Sequence, residues 1–180
     1  MIPAGFLKIF GRSLRNRHGK GARQGRRCRR RAGWLAALLM AGILPAATMA
    51  CPFELPTTVV SVNGRNLFVE LAFTPDTRSC GLSNRHSLGD NEGMLFLFPD
   101  ASKRTFWMKE THIPLSIAFI DDAGLIVTIH EMEADQTRTT YPSFQAVRYA
   151  LEVNRGWFAL HGIKSGDRVK MTLPAVLNIQ

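Results

Sequence analysis

Acidic residues are missing altogether from the first 50 positions of this 180-residue chain, yet 11 of its 23 lysines and arginines fall there. The overall charge of +9 is therefore a property of one end. From residue 51 onward 12 basic residues meet 14 acidic ones, a net of −2. A mildly acidic domain has no composition for tracking a phosphate backbone, so no nucleic-acid partner is expected. Cysteine is scarce, with three in all, and neither CxxC nor a Cys/His spacing of the zinc type occurs, so no metal site is expected. His86, His112, His130 and His161 show no i, i+2 or i, i+4 pairing, and each reads as a surface or turn residue. Glycine-rich phosphate loops are absent, and no cofactor is expected. Ser83, in Gly-Leu-Ser-Asn-Arg, lacks the second glycine of a nucleophile elbow. The apolar run from Trp34 to Leu44 is too short to span a bilayer comfortably, which takes about 20 residues.

What the N-terminal 50 residues do contain is ordered: a basic region, that apolar run, Pro45, then the small residues Ala46, Ala47, Thr48 and Ala50. This is the order of a secretory signal, with cleavage after Ala50 leaving Cys51 first and a mature domain of residues 51–180. A basic nucleic-acid-binding arm would leave the apolar run unexplained. The basic region is long enough that translation could start downstream of Met1, and Arg30-Arg31 permits a weak twin-arginine reading. Soluble export to the periplasm or the extracellular space is favoured. The other outcome, acylation of Cys51 and membrane anchoring, is poorly matched by Thr48 and Met49. Cys51 and Cys80 either form one disulfide in an oxidising compartment, or are respectively lipidated and buried as a small apolar residue.

The mature portion has one core's worth of sequence. Asn63-Gly64 between β-branched runs predicts a hairpin of 57–62 with 65–72, because both turn residues tolerate positive φ. Thr74-Pro75 predicts an N-cap followed by proline at the first helical position, with a short helix ending at Gly81. Further strands are predicted over 93–99, 104–109, 115–121, 124–131, 147–153 and 167–173, and Asn154 is expected to cap a second short helix through Leu160 that stops at Gly162. Eight strands and two short helices make a mainly β domain, a sandwich or a partly open barrel. Residues 132–146 read as a long polar loop, either functional or simply variable surface.

Six blocks then occur in order: "GLSNR" from 81, "GMLFLFP" from 93, "FWMKET" from 106, "IPLSIAFID" from 113, "ALEVNRGW" from 150 and "GIKSGDRV" from 162. Together they resemble the domain of unknown function family 192, small exported or membrane-anchored proteins of bacteria and archaea, over nearly all of residues 57–173. The resemblance implies a mainly β, jelly-roll-like sandwich and no established activity. Ser83, Glu110 and Ser116 depart from the family's methionine, asparagine and aspartate, so no shared site can depend on them. Arg78, Trp107, Lys109, Thr111, Asp121 and Glu152 match, and a shared site is sought among them.

In "KRTFWMKETHIPLSIAFID", 103–121, strand alternation groups Thr105, Trp107, Lys109 and Thr111 against Arg104, Phe106, Met108 and Glu110. One reading is core packing, with Lys109 snorkelling to solvent. The other is a pocket in which Trp107 stacks on a sugar or other flat ligand and Lys109 meets an anionic group. Glu152, between Leu151 and Val153, is expected to face solvent or, if covered, to pair with Arg78 or Lys109. Three functions follow: a non-catalytic module binding a small ligand or envelope component, an envelope hydrolase using Glu152 or Asp121 as acid or base, or a structural envelope protein.

Overall fold

The computed structural model describes residues 54–175 and 177–180; the expected signal segment and Cys51 lie outside them. Strand β1 (Thr57–Val62) turns at Asn63 and Gly64, with φ of 50° and 78°, into β2 (Arg65–Ala72), in the antiparallel register that the turn dictates. Helix α1 (Pro75–Cys80) starts with proline and closes a reciprocal cap: Thr74 Oγ1 accepts from Thr77 N at 3.2 Å, and Thr77 Oγ1 from Thr74 N at 2.9 Å. The chain then enters β3 (Glu92–Phe106), which lies parallel to β2. After it come β4 (Leu115–Ile120), β5 (Ile126–Met132), β6 (Tyr141–Asn154), α2 (Trp157–Leu160) and β7 (Val169–Met171).

All seven strands join one curled sheet in the order β5-β4-β6-β3-β2-β1-β7. Its two edges meet through a Leu125–Arg168 bridge and the bonds from Ile126 N to Asp167 O and from Val169 N to Gly124 O. The domain is thus mainly β, and of the two expected forms it takes the partly open barrel. Three sequence expectations need correction. Strands 93–99 and 104–109 are one strand that continues past Pro99 with register shifts, so seven strands stand where eight are predicted. Residues 132–146 are not one long loop: 133–140 alone are connection, because β5 runs to Met132 and β6 reaches back to Tyr141 to pair with the second half of β3. Asn154 does not cap α2: its Nδ2 donates to Leu88 O and Gly89 O, and Gly156, at φ 81°, occupies the cap position.

Both faces of the sheet are covered, which decides where the site sits. Residues from every strand, among them Val60, Leu67, Leu95, Ile120, Ile126 and Leu151, pack one face, closed by Trp157 and Phe158. The alternate residues Met94, Phe96, Ile117, Phe119 and Ala150 form a second core on the other face. That second core is covered by Leu82, just past α1, and by Met108 and Ile113, just past β3.

Candidate functional site

This second covering is incomplete. Between the end of α1 and residues 103–111 a cavity of about 530 Å³ opens onto the sheet. Glu152 lines it, flanked in register by Met94 of β3 and Ile117 of β4 on the central strand β6. Alternation does turn Glu152 away from Leu151 and Val153, but towards a covered face, so the side chain is 4% exposed where solvent is the sequence expectation. The expected ion pair is not found either. No described residue gives Glu152 a hydrogen bond or an opposite charge, and burial alone pushes its carboxyl up to about 8. At neutral pH it is held mainly as the uncharged acid.

Arg78 and Lys109, the two expected partners, are engaged elsewhere. Arg78 Nη1 donates to Phe73 O at 2.8 Å and Leu97 O at 2.9 Å, and Nη2 to Gln180 O at 2.6 Å. Burial, and next the like charge of Arg104, hold its pKa below the usual arginine value. Lys109 is half exposed, 3.7 Å from Glu110 and 5.7 Å from the centre of the Trp107 ring. Substituting Arg78 by methionine strands three carbonyl acceptors and is expected to cost about 2–3 kcal/mol, the scale of hydrogen bonds to a charged donor. Urea unfolding checks this.

Aromatic residues make the wall. Phe106 meets Phe96 edge-on at 4.9 Å and Phe98 at 6.4 Å. The guanidinium groups of Arg104 and Arg78 lie over the Phe98 ring at 4.2 and 5.2 Å. Trp107 stands at the rim, 58% exposed, so it is not core. The alternation expected along 104–111 fails because β3 has a register shift between Lys103 and Thr105 and ends at Phe106: Arg104, Thr105, Phe106 and Trp107 all line the cavity, while Met108 is buried away from it. Thr111 lines it too, buried, with its Oγ1 donating to Lys109 O.

Five of the six residues singled out from sequence therefore surround one cavity: Arg78, Trp107, Lys109, Thr111 and Glu152. Asp121 does not. Its carboxylate accepts from Leu125 N at 2.8 Å and shapes the β4–β5 turn, away from the cavity lining. The loop 133–140 contributes nothing to the lining and is tied to the 108–112 segment, through Met108 N to Gln136 O and Asp135 N to Thr111 O. Lys103, Arg104, Phe96, Phe98 and Phe106 line the cavity too, beyond the residues expected from sequence; Lys103, Arg104 and Phe106 stand in the same basic and aromatic stretch as Trp107, a signal the sequence carries.

The departures at 83, 110 and 116 separate cleanly. Ser83 lines the cavity, Glu110 pairs with Lys109, and Ser116 is fully buried outside it. Ser116 Oγ donates to Glu131 and accepts from Gly156 N at 2.8 Å, while Glu131 Oε2 accepts from the same N–H at 3.0 Å. Two side chains thus bring a carboxylate to the start of α2, which one aspartate at 116 would do alone. The histidines are also accounted for: His86 stacks on His112, which bonds Asp135; His161 bonds Trp157 O at the end of α2. His130 is neither surface nor turn but sits half-buried in β5, bonded to Pro142 O. No group of three or more potential metal ligands occurs among the described residues.

A single curled β sheet with a cavity under its covered outer face defines the structural class. The chain belongs to the domain of unknown function 192 family, described as "Uncharacterized ACR", whose model matches residues 58–171. A crystal structure from Sinorhizobium meliloti 1021, of a protein provisionally described as a transcription regulator, is 35% identical and superposes with a TM-score of 0.63. The match covers 66% of this chain and 96% of that one. A protein of unknown function from Novosphingobium aromaticivorans DSM 12444 is likewise 35% identical, with a TM-score of 0.62 over 66% of this chain and 89% of the other. No curated protein matches the chain. Among the described residues no helix is long and apolar enough to cross a membrane.

Proposed function

We propose that the chain is an exported, non-catalytic module that binds a small ligand in the cavity above Glu152. The observation that carries this reading is Glu152 itself: a buried acid without a partner, lining an open cavity with an exposed tryptophan at its rim. A buried polar group left unpaired costs stability, and a ligand that satisfies it recovers that cost on binding. Export is supported by the N-terminal signal order and by Cys80, which is disulfide-bonded to a residue outside the described ones. A disulfide from Cys80 to Cys51 would leave no thiol there to carry a lipid, and so goes with soluble export. The intact mass of the exported protein tests both points: a chain starting at Cys51, two mass units light and without lipid.

Ligand binding is tested by thermal shift against neutral sugars, peptidoglycan fragments, amines and organic acids. Trp107→Ala is expected to weaken binding by about tenfold, the scale of a lost stacking contact, while changing stability by less than about 0.5 kcal/mol, as for exposed sites generally. If no compound in such a panel raises the midpoint, the binding reading fails.

The raised pKa of Glu152 also suits a general acid, and this favours the hydrolase as second reading. Against it, Glu152 is the sole carboxyl group lining the cavity among the described residues, and Asp121 lies too far away in the fold to act with it. Turnover abolished by Glu152→Gln, with binding retained, would select the enzyme.

A further inference from the structure

We propose that the ligand is a small organic anion of the sugar-acid type, its carboxylate held by the basic rim and an oxygen deeper in accepting a hydrogen bond from the Glu152 O–H. This deepens the binding reading above and rests on it.

The charge arrangement carries the argument. Every titratable group lining the cavity apart from Glu152 and the disulfide-bonded Cys80 is a cation: Arg78 from α1, Lys103 and Arg104 from β3, and Lys109 beyond it. From β4, which flanks Glu152 on one side, nothing titratable faces it; the flanking residue is Ile117, and on β3 it is Met94. Two of the cations are internally occupied, Arg78 on backbone carbonyls and Arg104 on Asp100 O and Oδ1. Lys103 is exposed and has no hydrogen-bond or ion-pair partner among the described residues, and Lys109 has only an exposed contact with Glu110, of the kind worth little in water. The rim therefore has cationic capacity to spare, while the one acid is buried among apolar neighbours with no cation to balance it. A cationic ligand would have to pass that rim. An anionic one is attracted by it.

Glu152 then acts as a donor. In its neutral form the carboxyl offers one O–H to a ligand oxygen and adds no negative charge beneath the bound anion. Ionised, it offers no donor and repels the anion across a medium of low dielectric. Because burial raises the carboxyl to about 8, binding of an anion that stays ionised throughout should weaken as pH rises through that range. If only the neutral form binds, the affinity falls about tenfold between pH 7 and pH 9. Trp107 at the rim supplies the flat face against which a pyranose ring can stack.

The experiment is calorimetric titration of the purified protein with three probes of one shape and three charges: glucuronate, methyl glucoside and glucosamine, each at pH 6.5. Glucuronate is then repeated at pH 7, 8 and 9 on the wild type, Glu152→Gln and Lys103→Gln. The expected order is glucuronate tightest and glucosamine weakest. The glucuronate affinity drops about tenfold by pH 9 in the wild type and stays flat in Glu152→Gln, whose amide keeps a donor. Lys103→Gln, on an exposed residue that cannot unsettle the fold, lowers glucuronate affinity several-fold and leaves methyl glucoside unchanged. Tighter binding of glucosamine or methyl glucoside overturns the proposal, as does a pH dependence that survives in Glu152→Gln. If none of the three binds while another compound of the broader panel does, the sugar-acid class is wrong and the cavity reading stands. If nothing binds, both fall.

Discussion

Folding stability is expected to fall as pH rises from about 4.5 to about 8, by up to about 5 kcal/mol from Glu152 alone. The carboxyl titrates near 4.5 when exposed and near 8 in the folded protein. Between those values the folded state holds a proton that the unfolded state has released. The sign follows: the contribution of a raised pKa is fully present below the unfolded value, is lost progressively up to the folded value, and is gone above it. Asp100, whose carboxyl is held below its ordinary value chiefly by its bond to Arg104, works in the opposite sense and in the acid range. A comparison with Glu152→Gln isolates the effect. Urea unfolding of the two proteins at pH 5, 7 and 9 should show the variant gaining on the wild type by several kcal/mol at the alkaline end. Parallel curves would mean that the carboxyl is solvated or paired in solution.

Gly93→Ala is the second large effect, and it strikes the same place from the backbone side. Gly93 lies in β3 between Val69 of β2 and Val153 of β6, and its φ is not in the left-handed region. A Cβ there would sit 2.5 Å from the Glu152 carbonyl oxygen and 3.1 Å from Val153 Cγ1. Neither the carbonyl nor the strand carrying it can move without breaking the β3–β6 ladder that forms the middle of the sheet. The expected cost is about 3 kcal/mol or more, at the upper end of overpacking effects. Gly64 provides the contrast. It has φ of 78° but nothing within 4 Å of the position a methyl would take, so Gly64→Ala should cost only about 1 kcal/mol, the left-handed conformation of a non-glycine residue. Equal costs at the two positions would remove the steric argument.

The parts of this fold legible in the sequence are those written in local chemistry. Asn63-Gly64 fixes the first hairpin because both residues must adopt positive φ, and Thr74-Pro75 fixes α1 because a hydroxyl and a missing N–H suit a helix start. Trp107 and Lys109 read as a possible pocket lining on the same grounds, and both line the cavity. What local chemistry does not carry is which face of the sheet is covered. Glu152 alternates correctly with Leu151 and Val153, yet the face it points to is covered by Leu82, Met108 and Ile113, none of which belongs to a strand. Similarly, "YPSFQA" reads as loop because it is polar and holds proline, but it becomes strand by pairing with residues some 40 positions away on β3. Phe144 even takes a positive φ of 59° there, at the irregular part of that pairing. Asn154 satisfies a cap pattern and is instead drawn to two carbonyls of the 88–89 segment, a tertiary contact that no window of sequence contains.

The binding site proposed for this protein turns on the state of one carboxyl group. Selective ¹³C labelling of glutamate and an NMR titration of the Glu152 carboxyl carbon, assigned by its loss in Glu152→Gln, measures that state directly. A midpoint near 8 is the expected result, as for an unpaired acid buried beneath an open cavity. A midpoint near 4.5 would show a solvated or ion-paired carboxylate and contradict the account of the site.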